Sequence, residues 1–382
     1  MNARIRLGMV GGGEGAFIGV VHRMAARLDG EYELLAGALS STPEKAQRSG
    51  LALGLDPARV YADFEAMARA EARRRDGIEA VAIVTPNHMH APAALAFLKR
   101  GIHVICDKPL ATSLKQARSL KAAAERAGVV FAVTYNYSGY AMVRHARAMV
   151  AAGEIGRVRV VQVEYPQEWL TEPLEQTGQK QAEWRTDPAR SGAGGSVGDI
   201  GTHAFHLAGF VSGLAVTEIS AELTSFVAGR RLDDNVQIML RYENGARGSL
   251  WACQVAPGNE NGLRLRIFGD KGGLEWAQEQ PDQLKWSSFG QPPRIVTRGS
   301  GGANAAAARV TRIPAGHPEG YLEAFATIYR EAAAAIRARQ AGEPIPGDCM
   351  VPTLDDGLQG MAFIEAAVAS SKANARWTKL KG

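Results

Sequence analysis

A glycine-rich run between two periodic segments constrains this chain more than any other feature. Ile5–Val10 is a continuous apolar stretch, followed by Gly11-Gly12-Gly13-Glu14-Gly15-Ala16-Phe17-Ile18-Gly19 and then a helical pattern over Val20–Leu28. An apolar run of that length fits a strand buried on both faces. Strand, glycine turn and helix in that order let backbone N–H groups approach a pyrophosphate, which a helix N-terminus favours electrostatically. Gly11-x-Gly13-x-x-Ala16 fits a variant dinucleotide fingerprint, whereas the late Gly19 implies a loop longer by about three residues. The longer loop is the preferred reading, because Gly19 abuts the helix and allows close helix–strand packing. Gly11, Gly13, Gly15, Ala16, Phe17 and Ile18 are the expected cofactor contacts.

The strand–helix alternation continues. Glu33–Leu39 reads as the second strand, Ala62–Arg75 as helix, and Glu79–Val84 as a buried strand ending in T-P-N-H-M-H. Pro92–Arg100 reads as helix, and His103–Cys106 as a strand stopped by Asp107-Lys108-Pro109. A helix over Ser113–Ala127 follows, with Ser113 as N-cap, then a strand over Val129–Tyr135. This order predicts a parallel sheet covered by helices on both faces, with its strand ends gathered on one ligand-binding edge. Thr85, Pro86, Asn87, His90, Asp107 and Lys108 belong to that edge. The end of the second strand, where a carboxylate would hold the ribose hydroxyls, carries Ser40 and Ser41, with Lys45 nearby. That pattern leaves NAD against NADP open. The proline after Lys108 ends the strand and sets the direction of the lysine, through a bond that only X–Pro adopts cheaply as cis.

The pattern changes after about Tyr135. A helix over Tyr140–Ala152 and a strand over Arg157–Tyr165 lead to a polar, aromatic loop, Pro166–Gly195, holding Trp169, Trp184 and Arg185. A glycine-rich approach, Gly192–Gly198, enters a helix that carries Asp199 and His203 and reaches about Ser212. Strands over Thr217–Val227, Asp234–Tyr242, Ala246–Gln254, Leu263–Gly269 and Gly272–Trp276 are joined by tight turns, Asn244-Gly245 being the strongest, so an antiparallel sheet is expected. Ser288–Ala308 reads as a mobile loop, His317–Tyr321 opens a helix to about Ala341, and Leu354–Ala373 is a last helix. The expected division is a dinucleotide-binding domain over residues 1–135 and an α+β substrate-binding and oligomerisation domain over residues 136–382. Helix 354–373 is expected near the domain junction.

Bulk properties exclude several classes. The 382 residues suffice for two cores. The net charge of +5 is dispersed, and its densest cluster, Arg69–Arg75, is interrupted by Glu71 and reads as a solvated helix face, which argues against nucleic acid as a partner. Cys106, Cys253 and Cys349 lack metal or redox spacing, so no metal is expected and a reducing cytoplasm is. The first residues hold no apolar stretch followed by a cleavage site, and no run of about 18 apolar residues suggests a membrane span.

Asp199 and His203 are four apart at the start of a helix, which predicts both on one face. A carboxylate beside an imidazole can set its tautomer and suit it to general acid–base work. His203 is the expected base, oriented by Asp199, with Lys108 as electrostatic partner of a developing alkoxide. Arg185 is a candidate for substrate hydroxyls. Tyr135 and Tyr137 follow the last strand of the first domain and should face the cleft. His206 reads as packing.

Taken together, the dinucleotide pattern, T-P-N-H-x-H, D-K-P and G-G-x-x-x-D-I-G-T-H resemble the Gfo/Idh/MocA oxidoreductases over essentially the whole chain. The resemblance implies a Rossmann domain followed by a domain with a large, mostly antiparallel open sheet packed on helices. It implies Lys108, Asp199 and His203 as the catalytic set. Asp107 stands where the family usually has glutamate, and the usual acid of the second strand is missing. G-G-G-x-G-A-F-I-G-x-V-H-R and G-H-P-E-G-Y are similar to a sub-branch with scyllo-inositol and L-glucose dehydrogenases and 3-keto-glycoside reductases. That sub-branch implies NAD as cofactor, with NADP not excluded, and His317 near the substrate. The implied activity is hydride transfer between the nicotinamide and a secondary alcohol or ketone of a cyclic polyol or sugar. The implied assembly is a homodimer or homotetramer through the second domain's sheet. Two alternatives share the fold: a non-catalytic NAD(P)-responsive regulator, and glycoside hydrolysis by oxidation and elimination.

Overall fold

The computed structural model describes residues 3–381. By their contacts they form two compact units, Met1–Asn136 with Phe325–Leu358, and Tyr137–Ala324 with Gln359–Gly382. The first unit therefore takes in a segment, Phe325–Leu358, that the sequence reading placed in the second domain. Helix 354–373 likewise divides, with its first residues in one unit and the rest in the other.

In the first unit five parallel strands are ordered β2-β1-β3-β4-β5. They are β1 (Ile5–Gly11), β2 (Tyr32–Ala38), β3 (Ala80–Val84), β4 (His103–Cys106) and β5 (Phe131–Val133). The helices between them are α1 (Phe17–Leu28), α2 (Pro43–Ala52), α3 (Phe64–Glu71), α4 (His90–Leu98) and α5 (Leu114–Ala127). Every residue of β3, β4 and β5 is buried, as expected for strands covered on both faces. Ser113 caps α5 by accepting from the Gln116 N–H at 3.3 Å. The strand order reverses between β1 and β3, so the crevice outside their carboxyl ends is the topological switch point.

One expectation holds only in part in this unit. Arg69 and Arg73–Arg75 are exposed as expected, but α3 ends at Glu71, so they do not share one helix face, and that glutamate is buried. Its carboxylate binds the buried Arg59 guanidinium, the Tyr61 hydroxyl at 2.8 Å and the Ile78 N–H at 3.1 Å. A buried charge is tolerated when it is paired and hydrogen-bonded in this way.

The second unit holds a nine-stranded sheet ordered β13-β12-β11-β10-β6-β9-β8-β7-β14. Its strands are β6 (Val158–Pro166), β7 (Val216–Thr224), β8 (Asn235–Tyr242), β9 (Arg247–Cys253), β10 (Arg264–Gly269), β11 (Gly272–Ala277), β12 (Gln283–Ser288), β13 (Arg294–Thr297) and β14 (Thr378–Lys379). All pairings are antiparallel except β6 with β9. Gly245 takes a φ of +89° in the β8–β9 hairpin, as the Asn-Gly pair requires. Val236, Ile238, Leu240 and Tyr242 are buried, while Gln237 and Met239 of β8 are exposed, so one face of the sheet carries the core.

The helices of this unit include α6 (Ala141–Ala151), α7 (Lys180–Arg185), α8 (Pro188–Ser191), α9 (Thr202–Ser212) and α10 (Ala305–Ala308). α11 (Tyr321–Ala341) lies mostly in the first unit, and α12 (Leu354–Lys372) lies mostly in the second. Residues 288–308, read as a mobile loop, instead contain β13 and α10. Arg298 anchors this stretch. Its guanidinium is buried and binds Asp282 at 2.7 Å, the Ile313 carbonyl at 2.7 Å and Glu319 at 3.0 Å. Asn304 adds two bonds to His145, and Ala307 packs with Ala141 and Val310, so the Gly- and Ala-rich composition concealed an anchored segment.

Among the described residues no helix is long and apolar enough to cross a membrane, and no cluster of His, Cys, Asp or Glu could hold a metal ion.

Candidate functional site

The glycine loop lies at the switch point of the first unit. Gly11, Gly12 and Gly15 have φ of +78°, +72° and +75°, a region that side chains with a Cβ rarely adopt. Gly13 donates its N–H to the Leu39 carbonyl at 3.1 Å, which ties the loop to the end of β2. Arg23 of α1 donates to the Gly12 carbonyl at 2.6 Å. Gly19 lies in the first turn of α1, where a Cβ would stand 2.3 Å from the Gly12 Cα and 2.5 Å from its carbonyl oxygen. The long-loop reading and the packing role of Gly19 therefore hold.

Gly19→Ala sets backbone against side chain with nowhere to yield. It is expected to cost about 1–3 kcal/mol of stability. Because the displaced backbone is the glycine loop itself, NAD affinity should fall by more than about tenfold. Thermal melts and fluorescence titration with NAD check both effects, and an alanine variant with unchanged affinity would contradict this packing.

A dinucleotide fits this edge. A Cβ at Gly15 would have nothing within 4 Å, so the loop presents open backbone. The Thr85 hydroxyl oxygen, at the end of β3, is buried without a protein hydrogen-bond partner. Phe17 is exposed at the start of α1, and Ala16 and Ile18 are half-buried. Pro86 and Asn87 form the turn after β3, with Asn87 buried. Ser40 accepts from the Thr42 N–H at 3.2 Å and shapes the entry to α2, while Ser41 is exposed and Lys45 half-buried. The sequence reading overlooked Glu14, whose N–H donates to the Ser49 hydroxyl at 3.0 Å and whose carboxylate lies 3.7 Å from Arg48.

Two residues expected to touch the cofactor have other work. His90 is fully buried, and its ring nitrogens lie 2.8 Å from the Pro109 carbonyl and 2.9 Å from the Thr85 carbonyl. Burial lowers its pKa, against the opposing influence of Asp107 and the two carbonyls. Asp107 accepts from the Thr134 hydroxyl at 2.6 Å and faces His22 Nε2 at 3.0 Å. Burial pushes its carboxyl up, but His22 and Thr134 outweigh this and hold it at about 2. The stabilisation that this anion brings is complete above its ordinary pKa and is lost as pH falls through about 2. Lys108 follows, half-buried, and its bond to Pro109 is cis.

In the second unit Asp199 and His203 are indeed neighbours in sequence on one helical run, but its first turn is irregular. Val197–Gly201 is a wide π-type turn that passes into α9 at Thr202. Such turns recur at functional sites. The Asp199 carboxylate accepts from Gln254 Nε2 at 2.9 Å and pairs with Arg185 Nε at 3.2 Å. The Arg185 guanidinium lies over the Trp184 ring at 4.2 Å and near that of Trp169 at 6.0 Å.

His203 is buried, with the edge of its ring against Tyr137 at 4.9 Å. Tyr137 is also buried, and its hydroxyl meets that of Tyr165, which donates to Asn261 Oδ1 at 2.7 Å. Tyr321 stands 6.3 Å from Tyr137. Burial raises the pKa of Tyr137 and of Tyr165, so both phenols stay protonated near neutral pH. An imidazole is then the group in this cluster suited to exchanging a proton there. Tyr165, Gln254 and Asn261 were not anticipated. Each sits on or beside a sheet strand, where alternation marks inward residues without distinguishing core from site.

His206 is buried and stacks on Phe210 at 5.9 Å, consistent with packing. His317 is exposed, and its carbonyl accepts from Arg298.

Residues 5–135 match the model of an oxidoreductase family with an NAD-binding Rossmann fold, and residues 143–275 that of the GFO/IDH/MocA C-terminal domain. The chain is similar to an oxidoreductase from Sinorhizobium meliloti, at 56% identity and a TM-score of 0.90, covering 99% of this chain and 100% of that one. It is also similar to an inositol dehydrogenase homolog from Azotobacter vinelandii solved with NADH and myo-inositol, at 35% identity and a TM-score of 0.94, covering 99% and 98%. A levoglucosan dehydrogenase from Pseudarthrobacter phenanthrenivorans is 27% identical over 98% of this chain and 97% of its own.

Proposed function

Because the chain belongs to the Gfo/Idh/MocA family of NAD-binding oxidoreductases, we propose that it oxidises a ring carbinol of a cyclic polyol, myo-inositol being the first candidate. The observation that carries this reading is the placement of its polar groups. Lys108 stands on the nucleotide edge of the first unit; in the second, Arg185 pairs with Asp199, and His203 follows on the same helical run, buried against Tyr137. The relative solved with myo-inositol supports the substrate class.

Bound NAD supplies the hydride acceptor. His203 takes the hydroxyl proton of the reacting carbinol. Lys108 donates a hydrogen bond to the same oxygen as negative charge develops on it. Asp199, fixed by Gln254 and Arg185, binds a neighbouring hydroxyl and holds negative charge close to His203. Arg185, flattened against Trp184, has remaining N–H groups for further ring hydroxyls. Tyr137 and Tyr165 wall the imidazole with protonated phenols. His317 is assigned to the substrate side by the resemblance of G-H-P-E-G-Y to the polyol and sugar sub-branch.

A screen of inositols, monosaccharides and anhydrosugars with NAD and with NADP, read by absorbance of the reduced cofactor, tests the reading. Turnover with a cyclic polyol and preference for NAD are expected. Release of free sugar from a glycoside without net NADH would favour the oxidation–elimination route instead. The outer face of the nine-stranded sheet, which exposes Met239 and Phe268, is the proposed surface for a homodimer or homotetramer. Sedimentation as a monomer at micromolar concentration would count against that assembly.

A further inference from the structure

The turn that carries Lys108 is braced by a buried histidine on each side. His90 holds the carbonyl of Pro109, immediately after the lysine. His22 holds the carboxylate of Asp107, immediately before it. The second brace is the unusual one, because it is a chain of three polar side chains in the first unit. His22 is fully buried on α1; its Nε2 meets Asp107 Oδ1 at 3.0 Å and its Nδ1 meets the Tyr329 hydroxyl at 2.7 Å. Tyr329, on α11, is itself buried and accepts through its carbonyl from the Tyr32 hydroxyl at 2.9 Å.

The groups facing this chain are few. Asp107 is approached by His22, by the Thr134 hydroxyl and by the His90 ring, with the Cys106 thiol adjacent. Around His22 stand Asp107, the Tyr329 hydroxyl and the Phe325 ring at 4.7 Å. Tyr32 packs edge-on against Tyr329 at 5.3 Å. The His22 imidazole and the Thr134 hydroxyl hydrogen-bond the Asp107 carboxylate and favour its anion, and the His90 ring adds to them.

We infer that His22 is a positioning residue for Lys108, acting through Asp107 and backed by Tyr329. The tyrosine fixes the imidazole, the imidazole donates to the aspartate, and the aspartate sets the backbone from which the lysine projects. This pattern is that of a ligand or catalytic group oriented by an imidazole–carboxylate pair behind it. It also explains why aspartate serves here in place of glutamate: the imidazole of α1 reaches the shorter carboxylate directly. The inference rests on the proposed role of Lys108, and its test includes a readout that needs no turnover.

His22→Leu, His22→Gln, Tyr329→Phe and Asp107→Asn are compared with the parent as full-length proteins. The first readout is pH-difference infrared spectroscopy of the protonated-carboxyl band that Asp107→Asn removes. In the parent that band should stay absent until pH approaches about 3. In His22→Leu its midpoint should rise by more than about one pH unit, because a buried anion has lost its donor. His22→Gln places an amide N–H near the Nε2 position and should restore most of the shift. The second readout is the pH–rate profile with NAD and myo-inositol. His22→Leu should lower kcat by about 10–100-fold, the usual scale for an orienting partner, with the acid limb displaced to higher pH and NAD affinity kept within about threefold. His22→Gln should recover most of that rate.

An Asp107 band unchanged in His22→Leu overturns the inference, as does a His22→Gln variant as impaired as His22→Leu in both readouts. Should His22→Leu fail to fold, Tyr329→Phe decides, since it removes only the outer hydroxyl; an Asp107 midpoint and a kcat both equal to the parent's overturn the inference there. If the parent turns over no polyol, the proposed function fails, while the infrared readout still decides whether His22 governs Asp107.

Discussion

Replacing Lys108 by methionine is expected to lower kcat by about 10²–10³-fold while NAD affinity stays within about threefold. Methionine nearly matches the length of the side chain but removes every donor, so the loss isolates the ammonium group from packing. The lysine is a candidate for this effect because of its mounting. It is half-buried on a turn whose two flanking residues are held by His22 and Thr134 on one side and His90 on the other. A donor held by such a frame needs no reorganisation as charge develops on the reacting oxygen. Lys108→Arg should not rescue the rate, since a planar fork cannot take the place of a compact point charge. Stopped-flow formation of NADH, with a separate NAD titration, reads the two quantities. A methionine variant within about threefold of the parent rate would remove Lys108 from the chemistry.

His203→Ala is the second large effect, with kcat reduced by about 10²–10⁴-fold and the acid limb of the pH–rate profile no longer levelling off near neutral pH. The limb is the discriminating part. Tyr137 and Tyr165 are held protonated by burial, so neither phenol can substitute as base near neutral pH. With the imidazole gone, the remaining rate should depend on hydroxide and rise with pH without a plateau near neutrality. Asp199→Asn should act differently. It breaks the ion pair at Arg185 while keeping an oxygen for Gln254, so KM should rise together with a fall in kcat. Equal pH profiles for the parent and His203→Ala would show that another group takes the proton.

The parts of this molecule that were legible in the sequence are those where geometry demands a residue type. Gly11, Gly12 and Gly19 had to be glycine, because two adopt a left-handed backbone and the third lies against backbone. Asn244-Gly245 marked its hairpin for the same reason. The strands of the parallel sheet were readable because burial on both faces leaves an unbroken apolar run. Partnerships across long separations were not readable. His22 and Asp107 are 85 residues apart, and His22 and Tyr329 are 307 apart. A histidine within an amphipathic helix gives no local sign of such partners. His90 and Asp107 were placed at the correct edge but given the wrong task, because a polar residue at a strand end can face a ligand or brace the turn. Residues 288–308 were misread because Gly, Ser and Ala dominate there, while the residues that anchor them pair outside the run, Arg298 with Asp282 and Glu319 and Asn304 with His145.

Hydride transfer from a ring carbon is the central step, and isotopic labelling measures it directly. The parent protein is mixed with NAD and myo-inositol deuterated at every ring carbon, and the cofactor is recovered and analysed by mass spectrometry and proton NMR. One deuterium on a single face of C4 of the nicotinamide is expected, together with slower NADH formation in the first turnover than with unlabelled substrate. NADH free of deuterium, or no NADH from any cyclic polyol by a protein that binds NAD, would contradict the account.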